Sequence, residues 1–163
     1  SRERTGTTGS IQTSNQEEHS MITVRDVLNR KGTDVFSAAP DTFVFDALKL
    51  MSDRNVGALL VLEKGSLVGV FSERDYAQKV ILKGKSSRET VVREIMTQNL
   101  FTVRPEQNIR ECMELMTNRQ IRHLPVLDGT TLVGVISIGD AVKIIIEDQK
   151  DTIDKLETYI TGR

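Results

Sequence analysis

The chain has 163 residues, with 22 Lys and Arg against 23 Asp and Glu, a formal net charge of -1, 38% hydrophobic residues and 28% charged ones. That composition suits one folded domain or two small ones sharing a core, and carries no positive surplus for gripping nucleic acid or an anionic membrane. A single cysteine, two histidines and the lack of any apolar run near the roughly 18 residues that span a bilayer exclude an internal disulfide, a cysteine-based zinc site and a membrane helix.

Residues 1–20 are rich in Ser, Thr, Gly and Gln, with Ile11 their one strongly apolar side chain. They are expected to be a disordered tail, either a cloning remnant or what is left of a processed targeting segment. Met21 opens the patterned chain and is a candidate natural start. Val24–Leu28 forms a short lead-in. Phe36-Ser37 then reads as an extended stretch ended by Pro40. Val44, Ala47, Leu48 and Met51 recur at helical spacing. Leu59–Leu62, a turn at Lys64-Gly65 and Leu67–Phe71 form a hairpin pattern, and a second helix is expected from near Asp75.

Residues 83–90 read as a linker, with Gly84 and the serines making the turn. The basic run Lys79, Lys83, Lys85 and Arg88 is expected to be solvated. Gly84-Lys85-Ser86 resembles the end of a phosphate-binding loop, but Lys79 stands where the first glycine of that motif belongs.

The chain then repeats itself, without a gap, at an offset of 65 residues. Phe36, Pro40, Leu50, Met51, Arg54 and Leu59 match Phe101, Pro105, Leu115, Met116, Arg119 and Leu124. Val61-Leu62, Leu67-Val68-Gly69-Val70, Ser72 and Asp75 match Val126-Leu127, Leu132-Val133-Gly134-Val135, Ser137 and Asp140. The lead-in Val24-Arg25-Asp26-Val27-Leu28 finds its counterpart in Val92-Arg93-Glu94-Ile95-Met96. The second copy carries the same signals: an extended Phe101-Thr102, a helix stripe of Ile109, Cys112, Met113 and Met116, and a hairpin turning at Asp128-Gly129. Asn108 with Glu111 three residues on is a candidate capping box, and Cys112 and the two matched methionines read as core.

The fold class is therefore α+β: tandem β-α-β-β-α repeats packed about a pseudo-two-fold axis, plus a C-terminal helix. A unit of about 60 residues buries too little surface to be stable alone, so each copy needs the other's matching sheet face. Their junction is a favoured place for a small-molecule cleft. Repeat one spans 21–82, repeat two 91–146 and the helical extension 147–163.

The sharpest motif occurs twice, as Gly69-Val70-Phe71-Ser72-Glu73-Arg74-Asp75 and Gly134-Val135-Ile136-Ser137-Ile138-Gly139-Asp140. In each, a strand ends, a Ser follows and a helix begins. A helix start offers unpaired N–H groups to a phosphate, and an Asp carboxylate can accept two bonds from vicinal hydroxyls. The same residues also suit a plain cap, with Ser72 and Ser137 as N-caps and Asp75 and Asp140 as box acids; both roles can coexist.

With Arg122-His123-Leu124-Pro125-Val126, these paired motifs resemble the tandem CBS-domain family, the Bateman module, in its small stand-alone form. The resemblance covers about Val24 to Ile146. It implies an adenosine ligand: AMP, ADP, ATP, NAD or S-adenosylmethionine. It assigns ribose to Asp75 and Asp140, a place near phosphate to Ser72 and Ser137, and the adenine pocket to Ser37, Ala38, Thr102 and Val103. Gly57 and Ala58 would border one cleft and Ile121, Arg122 and His123 the other, with Ile138 and Gly139 in the second motif. Charge makes Arg74, Arg122 and His123 the phosphate candidates.

The chain shows no activated nucleophile or paired carboxylates placed for acid–base work, so a non-catalytic regulatory sensor is expected. It would need no cofactor beyond its regulatory adenine nucleotide, and would act on a regulated protein partner from an intracellular, cytoplasmic location (or an organelle matrix in a eukaryote). A ligand-free adaptor acting through protein contacts is the alternative. Val142, Ile146, Gln149, Ile153, Leu156 and Ile160 form a short heptad stripe, expected to reinforce a homodimer with Gln149 fixing register.

Overall fold

The computed structural model describes residues 21–161. The expectation for residues 1–20 lies outside them. The lead-in becomes helix α1 (Val24–Lys31), started by a Thr23–Asp26 capping box. Strand β1 (Ser37–Ala38), helix α2 (Val44–Arg54) and the hairpin β2 (Ala58–Glu63)–β3 (Ser66–Ser72) follow. Helix α3 (Glu73–Tyr76) widens into a π-helical turn, Ala77–Ile81. The second copy runs α4 (Val92–Ile95), α5 (Ile109–Arg119), β4 (His123–Asp128), β5 (Thr131–Ser137) and the long α6 (Ile138–Thr161).

The first sheet has the order β1-β2-β3, with β1 parallel to β2 and β3 antiparallel to it. The second has β4 and β5 only. The extended stretch expected at Phe101-Thr102 shrinks to one parallel bridge between Val103 and Val126. Pro125 explains the difference. Its counterpart Leu60 donates its N–H to the Phe36 carbonyl at 3.1 Å, and a proline has no such donor.

Both hairpins shift register at the same place, Val61/Leu62 and Val126/Leu127, but turn differently. Lys64 and Gly65 both have positive φ, a type I′ turn. In copy two Asp128 pairs with Thr131, so the turn residues are Gly129-Thr130, one position later than expected. Only Gly129 has positive φ there, as a type II′ turn requires.

The apolar residues separate into two clusters, and these cross the sequence repeats. Copy one's lead-in residues Val24, Val27 and Leu28 pack with Val103, Ile109, Cys112, Leu124 and Ile136 of copy two. Copy two's Val92 and Ile95 pack with Val44, Leu59, Val61 and Phe71 of copy one. Each unit thus lends its first helix to the other. The repeated glycines permit this: a Cβ on Gly69 would stand 2.6 Å from Met96 Sδ, and one on Gly134 2.7 Å from Leu28 Cδ2.

Leu60 and Pro125 are buried but belong to neither cluster. They alternate with the core residues Leu59 and Val61 and Leu124 and Val126, and so lie on the opposite face of each sheet. Another repeated pair is a cation–π contact, Arg54 over Phe36 at 5.2 Å and Arg119 over Phe101 at 5.1 Å. Cys112 is buried as expected, and burial, with Glu111 adding to it, pushes its thiol up to about 11.

Candidate functional site

In both copies the motif Ser caps the helix that follows the hairpin. The Asp75 N–H donates to Ser72 Oγ at 3.2 Å, while the Ser72 N–H donates to Asp75 Oδ2 at 3.0 Å. Ser137 and Asp140 repeat the arrangement at 3.1 and 2.9 Å. The box expected at Asn108 and Glu111 does not form. Asn108 caps α5 through the Arg110 N–H instead, at 2.9 Å, the second helical amide, where a box uses the third, that of Glu111.

Strand pairing sets the neighbouring residues beside these caps. Ala58 pairs with Ser72, and the Glu73 N–H donates to the Gly57 carbonyl at 3.1 Å. His123 pairs with Ser137, and the Ile138 N–H donates to the Arg122 carbonyl at 2.9 Å. So Gly57, Ala58, Ser72, Arg74 and Asp75 gather at one end of the first sheet. Arg122, His123, Ser137, Ile138, Gly139 and Asp140 gather at the same end of the second.

The adenine candidates stand apart. Ser37 pairs with Leu60 and Ala38 with Val61, on the far side of β2 from β3. Two strand spacings, about 10 Å, separate them from the Ser72 motif. Ala38 and Val103 are core residues, Ile121 and Ile138 pack against the cluster that holds Leu124 and Ile136, and Thr102 is exposed. Val103 uses both backbone groups, donating to Pro125 and accepting from Leu127.

The two ends meet. The nearest atoms to a Cβ built on Gly57 are His123 Cε1 at 3.6 Å, His123 Nε2 at 3.7 Å and Glu73 Cδ at 3.9 Å. Arg74 Nη1 crosses between the copies and donates to the Gln120 carbonyl at 3.0 Å. Gln120 is the left-handed C-cap of α5. Beside Gly57 and Glu73 opens a cleft of about 460 Å³, walled by Leu48, Met51, Ser52, Asn55 and Val56.

The two aspartates differ in their partners. Asp75 is 7% exposed. Besides Ser72, it accepts from Thr97 Oγ1 at 3.0 Å and pairs with Lys79 Nζ at 2.9 Å. Lys79 therefore belongs to the site and not to the solvated linker, a correction that the four-residue spacing from Asp75 explains. Thr97 arrives on the exchanged lead-in, held by two backbone bonds to Val70 at 2.9 and 3.0 Å.

Asp140 is more open, its side chain 26% exposed, and Lys31 Nζ meets its Oδ2 at 2.7 Å. The same ammonium donates to the Val135 carbonyl. Burial pushes the Asp140 carboxyl up, but the Lys31 bond, the Ser137 N–H and the Lys31 charge outweigh it and hold it below its ordinary value. Burial pushes the His123 imidazole down; Asp140 and Glu73 oppose this, while Lys31 and Arg122 add to it. Sequence reasoning missed Lys31 and Thr97, whose sequence positions carry no sign of either contact. Among the described residues no cluster of His, Cys, Asp and Glu could hold a metal ion, and no helix is long and apolar enough to cross a membrane.

A family model for the CBS domain matches residues 24–81 and 92–147. The mitochondrial CBS domain-containing protein CBSX3 of Arabidopsis thaliana is 39% identical over 149 residues, covering 86% of this chain and 72% of its own. A solved protein with CBS domains from Burkholderia ambifaria is 48% identical, with a TM-score of 0.77, covering 78% of this chain and 96% of that one. The CBS domain pair of protein MJ0100, solved with 5-methylthioadenosine and S-adenosyl-L-methionine, shares the fold. It has a TM-score of 0.68 at 24% identity, over 77% of this chain and 96% of its own. The chain belongs to the CBS-domain family, as a pair of CBS domains with a C-terminal helix.

Proposed function

We propose that this CBS-domain pair is a non-catalytic sensor that binds an adenine nucleotide where the two repeats meet. Members of the family are generally regulatory, and one solved pair of the same fold holds adenosine compounds. The ligand would be AMP, ADP, ATP or NAD, with a ribose on a motif Asp and phosphate near a capped helix start. The second motif is the better host. Lys31 and the Ser137 N–H both engage Asp140 Oδ2, which leaves Oδ1 to accept from a ribose, whereas Asp75 has protein donors on both oxygens. Arg122 and His123 stand beside it with positive charge and a ring for the phosphate side.

The observation that carries the signalling half of this reading is the bond from Arg74 to the Gln120 carbonyl. Arg74 lies in the first motif, and its fork is held by one backbone oxygen of the other copy. A phosphate entering the junction competes for that fork, because a charged oxygen outbids a neutral carbonyl. Losing the tie alters how the copies pack, and a partner protein or a second chain reads the change. The shift is bounded by the ligand's difference in affinity for the two arrangements.

The test is calorimetric titration with AMP, ADP, ATP, NAD and S-adenosylmethionine, on the parent chain and on Asp75→Asn, Asp140→Asn and Arg74→Ala. The expected result is binding by the parent, weakened at least tenfold by Asp140→Asn and less by Asp75→Asn. Arg74→Ala should keep binding of a nucleoside without phosphate and lose affinity for the nucleotide. Folded, ligand-free protein that takes none of these compounds would overturn the sensor reading. One observation already favours the ligand-free adaptor in that event: both motif carboxylates have a lysine of the chain as partner.

A further inference from the structure

The C-terminal half of α6 has no partner among the described residues. Ala141 and Ile144 are buried, and Ile145 packs against the cluster they share with Leu124 and Ile136. From Asp148 to Thr161 every residue is exposed. The face that packs on the module turns polar at Asp148, Asp151 and Lys155, where the helix leaves it. The opposite stripe stays apolar: Ile146 is 58% exposed, Ile153 54%, Leu156 55% and Ile160 79%. An isolated helix of that length is marginal in water, and apolar side chains along one line of it make association favourable.

We infer that this stripe is covered by the same stripe of a second copy, as a parallel, in-register two-stranded coiled coil. The spacing from Val142 to Ile160 alternates four and three residues, which places Ile146, Ile153 and Ile160 at one heptad seam position and Val142, Gln149 and Leu156 at the other. Isoleucine holds the first position throughout and Leu156 stands at the second, a combination that favours two parallel strands, while Val142 and Gln149 fill the other two places at that position. Gln149 selects the direction. In an antiparallel pair the two seam positions face each other, so Gln149 would oppose an isoleucine in any register. In a parallel pair it meets the partner's Gln149, and the two amides can bond to each other. In a parallel pair the flanking Lys150 faces the second copy's Ile145 and Glu157 its Thr152, so these layers bring no like charges together. This inference stands independently of the nucleotide reading.

Sedimentation equilibrium on the full chain should show a dimer, weakened at least tenfold in Ile153→Lys, whose exposed site leaves the module's circular dichroism unchanged apart from lost helix. A chain ending at Glu147 should lose the same contribution. Orientation is read from Ile160→Cys under mild oxidation: a parallel pair cross-links through residue 160, whereas an antiparallel pair holds these positions at opposite ends. Cys112 is buried and does not compete. A monomeric full chain, a dimer indifferent to Ile153→Lys, or a dimer without the cross-link would each overturn the inference.

Discussion

Gly69→Ala tests the helix exchange between repeats by the sign of its effect. Gly69 lies inside β3 with ordinary backbone angles, so an alanine there would normally stabilise, by about 0.4–1 kcal/mol, through a stiffer unfolded chain. The structure demands the reverse. The new Cβ would stand 2.6 Å from Met96 Sδ, 3.0 Å from Met96 Cγ and 3.2 Å from the Thr97 carbonyl oxygen. The Met96 thioether is flexible and can swing aside. The Thr97 backbone is pinned by its two bonds to Val70 and must stretch them to move. Overpacking of this kind costs about 1–3 kcal/mol, and for a chain of this size each kcal/mol lowers Tm by about 2–4 °C. Thermal unfolding followed by circular dichroism reads the change. Met96→Ala in the same chain should recover the part due to the thioether, giving a coupling energy above 0.5 kcal/mol in the double-mutant cycle. A Gly69→Ala chain as stable as the parent, or more so, would refute the placement of Met96-Thr97 on β3. The placement also touches the site, because Thr97 Oγ1 holds Asp75.

Gly134→Ala should destabilise less than Gly69→Ala, since all the close atoms there belong to the Leu28 side chain; paired melting curves decide it. Lys31→Ala removes the ammonium from Asp140 and the Val135 carbonyl, and should cost about 1 kcal/mol in urea unfolding and let the Asp140 carboxyl titrate nearer its ordinary value, by NMR. Stability should fall with acid. Burial holds the folded His123 below its unfolded value near 6.5, so under that pH the unfolded chain binds a proton that the folded one refuses. Asp140, held low in the folded state, adds a loss of the same sign as pH falls further, through the carboxylate range. Midpoints at pH 7 and pH 5 should therefore drop toward acid, and His123→Gln should flatten the upper part; a midpoint that rises toward pH 5 would contradict the burial of His123.

Local physics made much of the molecule legible from the sequence alone. The duplication is read directly by aligning the chain with itself, and the apolar stripes of α2 and α5, both hairpins, the Ser caps and the core place of Cys112 each depend on residues a few positions apart. Periodicity and capping act at that range. Even the loss of the second copy's first strand is written in Pro125, once its lack of an N–H is set against the Leu60 bond. Tertiary structure decided the rest. No spacing tells that Val24–Leu28 packs on the other copy's strands, because two duplicate lead-ins have two equivalent sheets to choose from. That choice brings Lys31 to Asp140 and Thr97 to Asp75, and makes two nearly identical motifs electrostatically different. It depends on contacts between residues far apart in sequence, such as Lys31 and Asp140 at 109 positions, where only packing can set the distance.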